Sequence, residues 1–193
     1  RKMKKKCCFL CIILVCFLTS CVSTKIEGFK KPEVNFYEYN NILVFCNFEN
    51  LKYRKQLENE FYKEFNSKKI KSIKSIELIS PLKSYSNEDV SNLIKEAGVE
   101  ILMEIKILSI NTNSGDSSSL FVPMGGFFFG GSDSETEVTI DFDITVYDIN
   151  TEEILFRGTA TGEEEDDNFS ECIEEIFEDF AEEFIDMYFV SSL

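Results

Sequence analysis

The chain has 193 residues, with 20 Lys and Arg against 35 Asp and Glu, seven Cys, no His and no Trp. Five of the bases sit in the first six residues, so the part after residue 20 carries a net charge near −20. That field repels phosphate backbones and anionic lipid headgroups, which argues against nucleic acid, and the missing His removes the usual base of a Ser or Cys nucleophile and a common zinc ligand.

Arg1 to Lys6 is basic, Cys7 to Leu18 is apolar (CCFLCIILVCFL), and Leu18, Thr19 and Ser20 lead to Cys21. A basic start, a short apolar stretch and small residues before a break make a secretory signal, with Met3 reading as the start. The apolar run is shorter than the roughly 17–25 residues of a membrane-spanning helix. Leu18-Thr19-Ser20-Cys21 resembles the lipobox of bacterial lipoproteins, whose Cys is acylated and heads the mature chain. Residues 1–20 are thus expected to be a lipoprotein signal peptide and Cys21 the palmitate-bearing site of a membrane anchor. Burial of acyl chains contributes about 0.8 kcal/mol per methylene, and stable anchoring takes more than one chain. Val22 in place of Asp favours the outer membrane, facing the periplasm. Residues 21–40 read as a lipidated tether, ordered near its end by Phe36, Tyr37 and Tyr39, and spanning about 24 Å as a coil and about 60 Å stretched.

Residues 41–193 read as one domain. Ile42–Asn47 (ILVFCN) is a continuous apolar run, expected to be a buried strand. Asn50 can cap a helix over Leu51–Asn66, whose inward stripe is Tyr53, Leu57, Phe61 and Phe65. Ser75–Ile79 reads as a short strand before Pro81. Ser86-Asn87-Glu88-Asp89 offers a capping box to a helix that ends at Ala97-Gly98. Val99–Ile110 alternates, with Val99, Ile101, Met103, Ile105 and Ile107 on one side. Glu135–Tyr147 repeats this with Val138, Ile140, Phe142, Ile144 and Val146 inward, and Asp148-Ile149-Asn150-Thr151 turns the chain into a strand over Glu153–Thr161. A last helix covers Asn168 to about Val190, with Phe169, Cys172, Ile173, Ile176, Phe177, Phe180, Phe184 and Tyr188 as its apolar stripe. The expected fold is an α/β (α+β) two-layer sandwich in the order β-α-β-α-β-β-β-α, a mixed sheet of about five strands with three helices on one face.

Residues that could carry chemistry are few. Cys46 lies in a buried strand and Cys172 on an apolar helix face; both read as core thiols, with a disulfide between them left open. The Glu163–Asp167 run has the carboxylates calcium likes without the spaced ligands of an organised site, and reads as a solvated loop before a helix. Asp141 and Asp143 share a strand face and are expected to meet Arg157 as a cross-strand ion pair. No catalytic residue, metal site or cofactor is assigned. The feature that points outward is residues 111–134, a connection of more than 20 residues that collects Leu120, Phe121, Val122, Met124, Phe127, Phe128 and Phe129 among glycines. A long apolar loop of this kind marks a partner or membrane contact, unless its rings fold back onto the core.

Ile42–Phe45 with its following helix, Ile94–Leu102 and Val146–Leu155 resemble the α/β domain of envelope lipoproteins such as the penicillin-binding-protein activator LpoB and the curli secretion protein CsgG, and the N-terminal domain of TolB. Glu152 stands where that pattern has Gly in its Asp-x-x-Thr-Gly-Glu turn. The resemblance implies a non-enzymatic binding or assembly module of an envelope complex, with an unidentified protein partner or a homo-oligomer. A self-assembling secretion or channel component like CsgG is the alternative it implies. A carboxylate hydrolase or calcium-dependent binder is a third reading, from the acidic residues.

Overall fold

The computed structural model describes residues 22–114, 120–121, 136–166 and 168–190. Its strands are β1 (Ser23–Lys30), β2 (Ile42–Cys46), β3 (Ser72–Lys74), β4 (Ile101–Ser114), β5 (Leu120–Phe121), β6 (Thr136–Asp148) and β7 (Ile154–Asp166). Its helices are α1 (Leu51–Ser67), α2 (Ser75–Leu78), α3 (Asn87–Glu96) and α4 (Phe169–Tyr188), with a 3-10 turn at Phe36–Glu38. The strands form one open mixed sheet in the order β1-β7-β6-β4-β2-β3, with β5 beside β4. β2 runs parallel to both β3 and β4, whereas β1, β7, β6 and β4 are antiparallel neighbours. The expected α/β class with a mixed sheet is the observed one.

Local chemistry accounts for most boundaries. The Asn50 side chain accepts the N–H groups of Lys52 and Tyr53, starting α1 where the apolar stripe begins. Ser86 and Asp89 form a reciprocal capping box on α3, and Gly98, at φ 66°, ends it in the left-handed conformation. Asn168 accepts the Ser170 N–H and opens α4. Asp148 accepts the N–H groups of Asn150 and Thr151, closing the turn that joins β6 to β7.

The core lies between the sheet and the layer made by α1 and α4. Tyr53, Leu57, Phe61 and Phe65 of α1 are buried, as are Ile173, Ile176, Phe177, Phe180 and Phe184 of α4. The Phe142 ring of β6 stacks on Phe180 at 4.3 Å, and Phe61 meets Phe180 edge-on at 5.2 Å. Each ring buried in this way contributes about 1.5–3 kcal/mol by removal from water. The third helix, α3, supplies no buried residue and none of the core cluster. α4 approaches β7 closely because Gly162 faces Ile176: a Cβ there would overlap the Ile176 side chain.

Two expectations are corrected. Residues 22–40 are not a tether. β1 pairs with β7 from Ser23 opposite Glu163 to Lys30 opposite Phe156, and Phe36 is fully buried and stacks on Phe189 at 4.7 Å. The strand escapes notice in the sequence because only Thr24 and Ile26 of its residues are even half-buried, so an edge strand covered on one side shows little alternation. Ser75–Ile79 is not a strand either. The pairing segment is Ser72–Lys74, and Ser75 begins a helical turn because its hydroxyl and the Ile76 N–H both donate to Glu58 on α1.

Candidate functional surface

Cys21 and the Leu18, Thr19 and Ser20 that precede it lie outside the described residues, but the fold begins at once after them. Ser23, two positions on, is already paired with Glu163. Two residues reach at most about 7 Å, so any group carried on Cys21 would be joined to the sheet without a linker. From Ser23 the register runs across the sheet through Glu163, Thr139 and Asn111 to Phe121. Four steps of about 4.8 Å put Phe121 about 19 Å from Ser23 along that row. The long connection leaves at Ser114 and returns at its ladder partner Thr136, at this same end of the sheet. Of the apolar residues singled out on it, Leu120 and Phe121 form β5 against Thr112 and Asn111, and Val122, Met124, Phe127, Phe128 and Phe129 lie outside the described residues.

The sheet face turned away from the core carries the carboxylates of β6. Asp141 accepts the hydroxyls of Ser109 at 2.6 Å and Thr161 at 2.9 Å, its neighbours on either side, and Asn111 donates in turn to Ser109. The expected ion pair with Arg157 does not form, because the register sets Arg157 between Thr145 and Phe29, and Asp143 between Lys106 and Thr159. Lys106 leans to Glu104, at 3.5 Å. Asp141 and Asp143 are thus members of a hydrogen-bonded surface, without the converging geometry of an acid–base pair.

Glu163 to Asp166 also differ from expectation. They extend β7 instead of forming a loop, and their exposure alternates: Glu163 and Glu165 are exposed and Glu164 is buried. Successive side chains of a strand point to opposite faces, so this run cannot gather its carboxylates on one ion. Among the described residues no group of three or more His, Cys, Asp or Glu is placed to hold a metal.

A cluster that the sequence reading missed is centred on Glu58, which is fully buried on α1. Its carboxylate accepts from Cys46 N–H, Arg54 Nε, the Ser75 hydroxyl and Ile76 N–H. Arg54 also donates to Ser75 and lies over the Phe45 ring at 5.1 Å. Strand backbone, the backbone and hydroxyl of the following helical turn, and Arg54 all donate to this one carboxylate, which makes Glu58 a structural joint. The available signal was a Glu beside Leu57 on the apolar side of α1, four residues after an Arg. The thiols are poor nucleophiles. Burial, then the nearby Glu58 charge, pushes Cys46 far up, and burial, then Asp166, pushes Cys172 up to about 11. Both are buried, and no disulfide joins them.

Two shallow depressions are lined by described residues. One, of about 370 Å³, is lined by Asn168, Ser170, Glu171, Glu174, Glu175 and Glu178 of the start of α4. The other, of about 470 Å³, is lined by Tyr85, Asp89, Asn92, Leu93 and Glu96 beside α3. Neither lining contains a thiol, a lysine or an arginine.

Residues 129–187 match the family model described as "TP0693-like lipoprotein, C-terminal domain", a stretch that contains β6, β7 and nearly all of α4. No curated protein sequence matches the chain. Among solved structures it is similar to a PelC dodecamer from Paraburkholderia phytofirmans, at 11% identity and a TM-score of 0.47, over 83% of this chain and 97% of that one. It is similar as well to lipoprotein GNA1162 from Neisseria meningitidis, at 11% identity and a TM-score of 0.46, over 77% of this chain and 99% of that one. Likeness at this level speaks to neither function nor assembly. The family match, which rests on the sheet and helix that close the fold, accords with a bacterial envelope lipoprotein.

Proposed function

We propose that the chain is a lipoprotein of the cell envelope, anchored through acylated Cys21 in the outer membrane and facing the periplasm, which acts as a non-catalytic binding and assembly module for an envelope complex. The observation that carries this reading is that β1 begins two residues after Cys21, as the edge strand of the sheet. A covalent lipid at that point holds a rigid domain, rather than a flexible tail, at a bilayer. The family match over residues 129–187 supports the lipoprotein part of the reading. A binding role is supported by the buried, proton-holding state of Cys46 and Cys172, and by Asp141 being engaged by two hydroxyls.

The partner-facing element is the connection from Leu120 through Phe129. Ser114 and Thr136, the sheet residues that flank the connection, pair at the end of the sheet where β1 starts, which supports a contact made on the anchored side. Palmitate labelling in cells tests the anchor: label enters the wild-type protein and not the Cys21→Ser variant. Equal labelling of the two, or none in either, defeats the reading. Crosslinking and pull-down from intact envelopes then asks for the partner. Replacing Phe127, Phe128 and Phe129 together by Ser is expected to abolish association while leaving thermal unfolding unchanged; a variant that fails to fold would make the loop part of the core.

A further inference from the structure

We propose that the edge strand β1 is itself a membrane-contact strip, seated on the headgroups of an anionic phospholipid bilayer with Phe29 at the interface. The proposal rests on the anchor reading above and adds an orientation to it. β1 is the outermost strand, and beyond β7 no other described strand pairs with it. The acyl group holds its first residue at the bilayer with a two-residue leash. A strand of eight residues then carries the contact about 27 Å further along the edge.

The side chains along this edge suit such a contact. Phe29 is 89% exposed, an unusual position for a Phe in a strand. The register sets Arg157 beside it, the single base among the 62 residues from Ser132 onward, and Lys30 and Lys31 follow it in the chain. Lys25 is paired with Glu27 and Lys31 with Glu153, but among the described residues Lys30 and Arg157 have no ion-pair partner. An aromatic ring with unpaired cations beside it is the combination that settles at a headgroup layer. The opposite choice, laying α4 on the bilayer, would press Glu171, Glu174, Glu175 and Glu178 against like charge. An anchored domain of this charge therefore turns its helical side away and rests on the β1 edge.

The test uses the full lipidated protein in vesicles of phosphatidylethanolamine and phosphatidylglycerol, with a fluorophore on Glu27→Cys or, separately, on Leu82→Cys. The native thiols of the domain are buried, and Leu82, 91% exposed, follows β3 and α2 near the far edge of the sheet. A label at 27 is expected to be quenched severalfold more strongly by doxyl-labelled lipid than one at 82, and to be less accessible to iodide. Adding Phe29→Ser is expected to erase most of that difference. Equal quenching at the two positions in protein that carries palmitate overturns the strip and leaves the anchor standing. A label at 27 shielded from iodide yet untouched by lipid quencher, in protein of doubled mass, would mean that a second copy covers the edge, and also overturns it. Protein without palmitate removes the anchor reading, and the strip with it.

Discussion

Replacing Glu58 by Ala should be among the most damaging single changes to the domain. Glu58 is fully buried, and its loss strands two backbone N–H groups, a hydroxyl and the Arg54 guanidinium. Removing one member of a buried ion pair costs about 3–5 kcal/mol, most of it from the charge left without compensation. Arg54 is 14% exposed, so it relieves only part of that by turning to water. Glu58→Gln keeps the volume and one acceptor oxygen, but turns an amide toward a site with two backbone N–H donors and a guanidinium, and is expected to cost about 1–3 kcal/mol. Urea unfolding followed by far-ultraviolet circular dichroism reads both. With a slope of about 2 kcal/mol per M, a loss of about 4 kcal/mol moves the midpoint down by about 2 M, without a change in slope. The apolar double change Arg54→Met with Glu58→Met should be less damaging than Glu58→Ala, because it leaves no buried charge behind. A midpoint for Glu58→Ala within about 0.5 M of wild type would refute the account of Glu58 as a joint.

Three further expectations concern turns and the edge. Glu152 holds φ 58° at the position where the resembling turn has Gly, so Glu152→Gly should stabilise by about 0.5–1 kcal/mol and raise the melting temperature by about 2–3 °C in calorimetry. The Asp148 carboxyl sits below its ordinary range: burial acts to raise it, but the hydrogen bonds from Thr151 and Asn150 outweigh that. A depressed carboxylate contributes stability that is fully present above its unfolded value and is lost as pH falls through the folded one, so stability against urea should decline below about pH 4, and Asp148→Asn should flatten that decline. Gly158→Val would drive a side chain into the Glu27 carbonyl and the Phe156 ring, both closer than any real Cβ contact. Hydrogen exchange should then show loss of protection over Ser23–Lys30 with α1 and α4 still protected; uniform protection of β1 would count against the close β1–β7 contact.

Much of this architecture was readable from residue order alone. Steps of four placed Tyr53, Leu57, Phe61 and Phe65 on one side of α1, and alternation placed Val138 through Val146 on one side of β6, because helix and strand periods turn local sequence directly into faces. The caps at Asn50 and Ser86 were equally local, since a side chain need reach only two or three residues ahead. What no stretch of sequence could decide is which distant segments become neighbours. β1 is a strand because β7 lies 132 residues away in sequence at Glu27 opposite Thr159 to supply its hydrogen bonds, and its own residues are too exposed to announce it. Glu58 is buried because Cys46, Ser75 and Ile76 converge on it, and Arg157 meets Phe29 instead of Asp143 because register is set by the whole ladder. Periodicity fixes the direction in which a side chain leaves its own element; the partner it meets depends on packing between elements, and only the folded sheet contains that information.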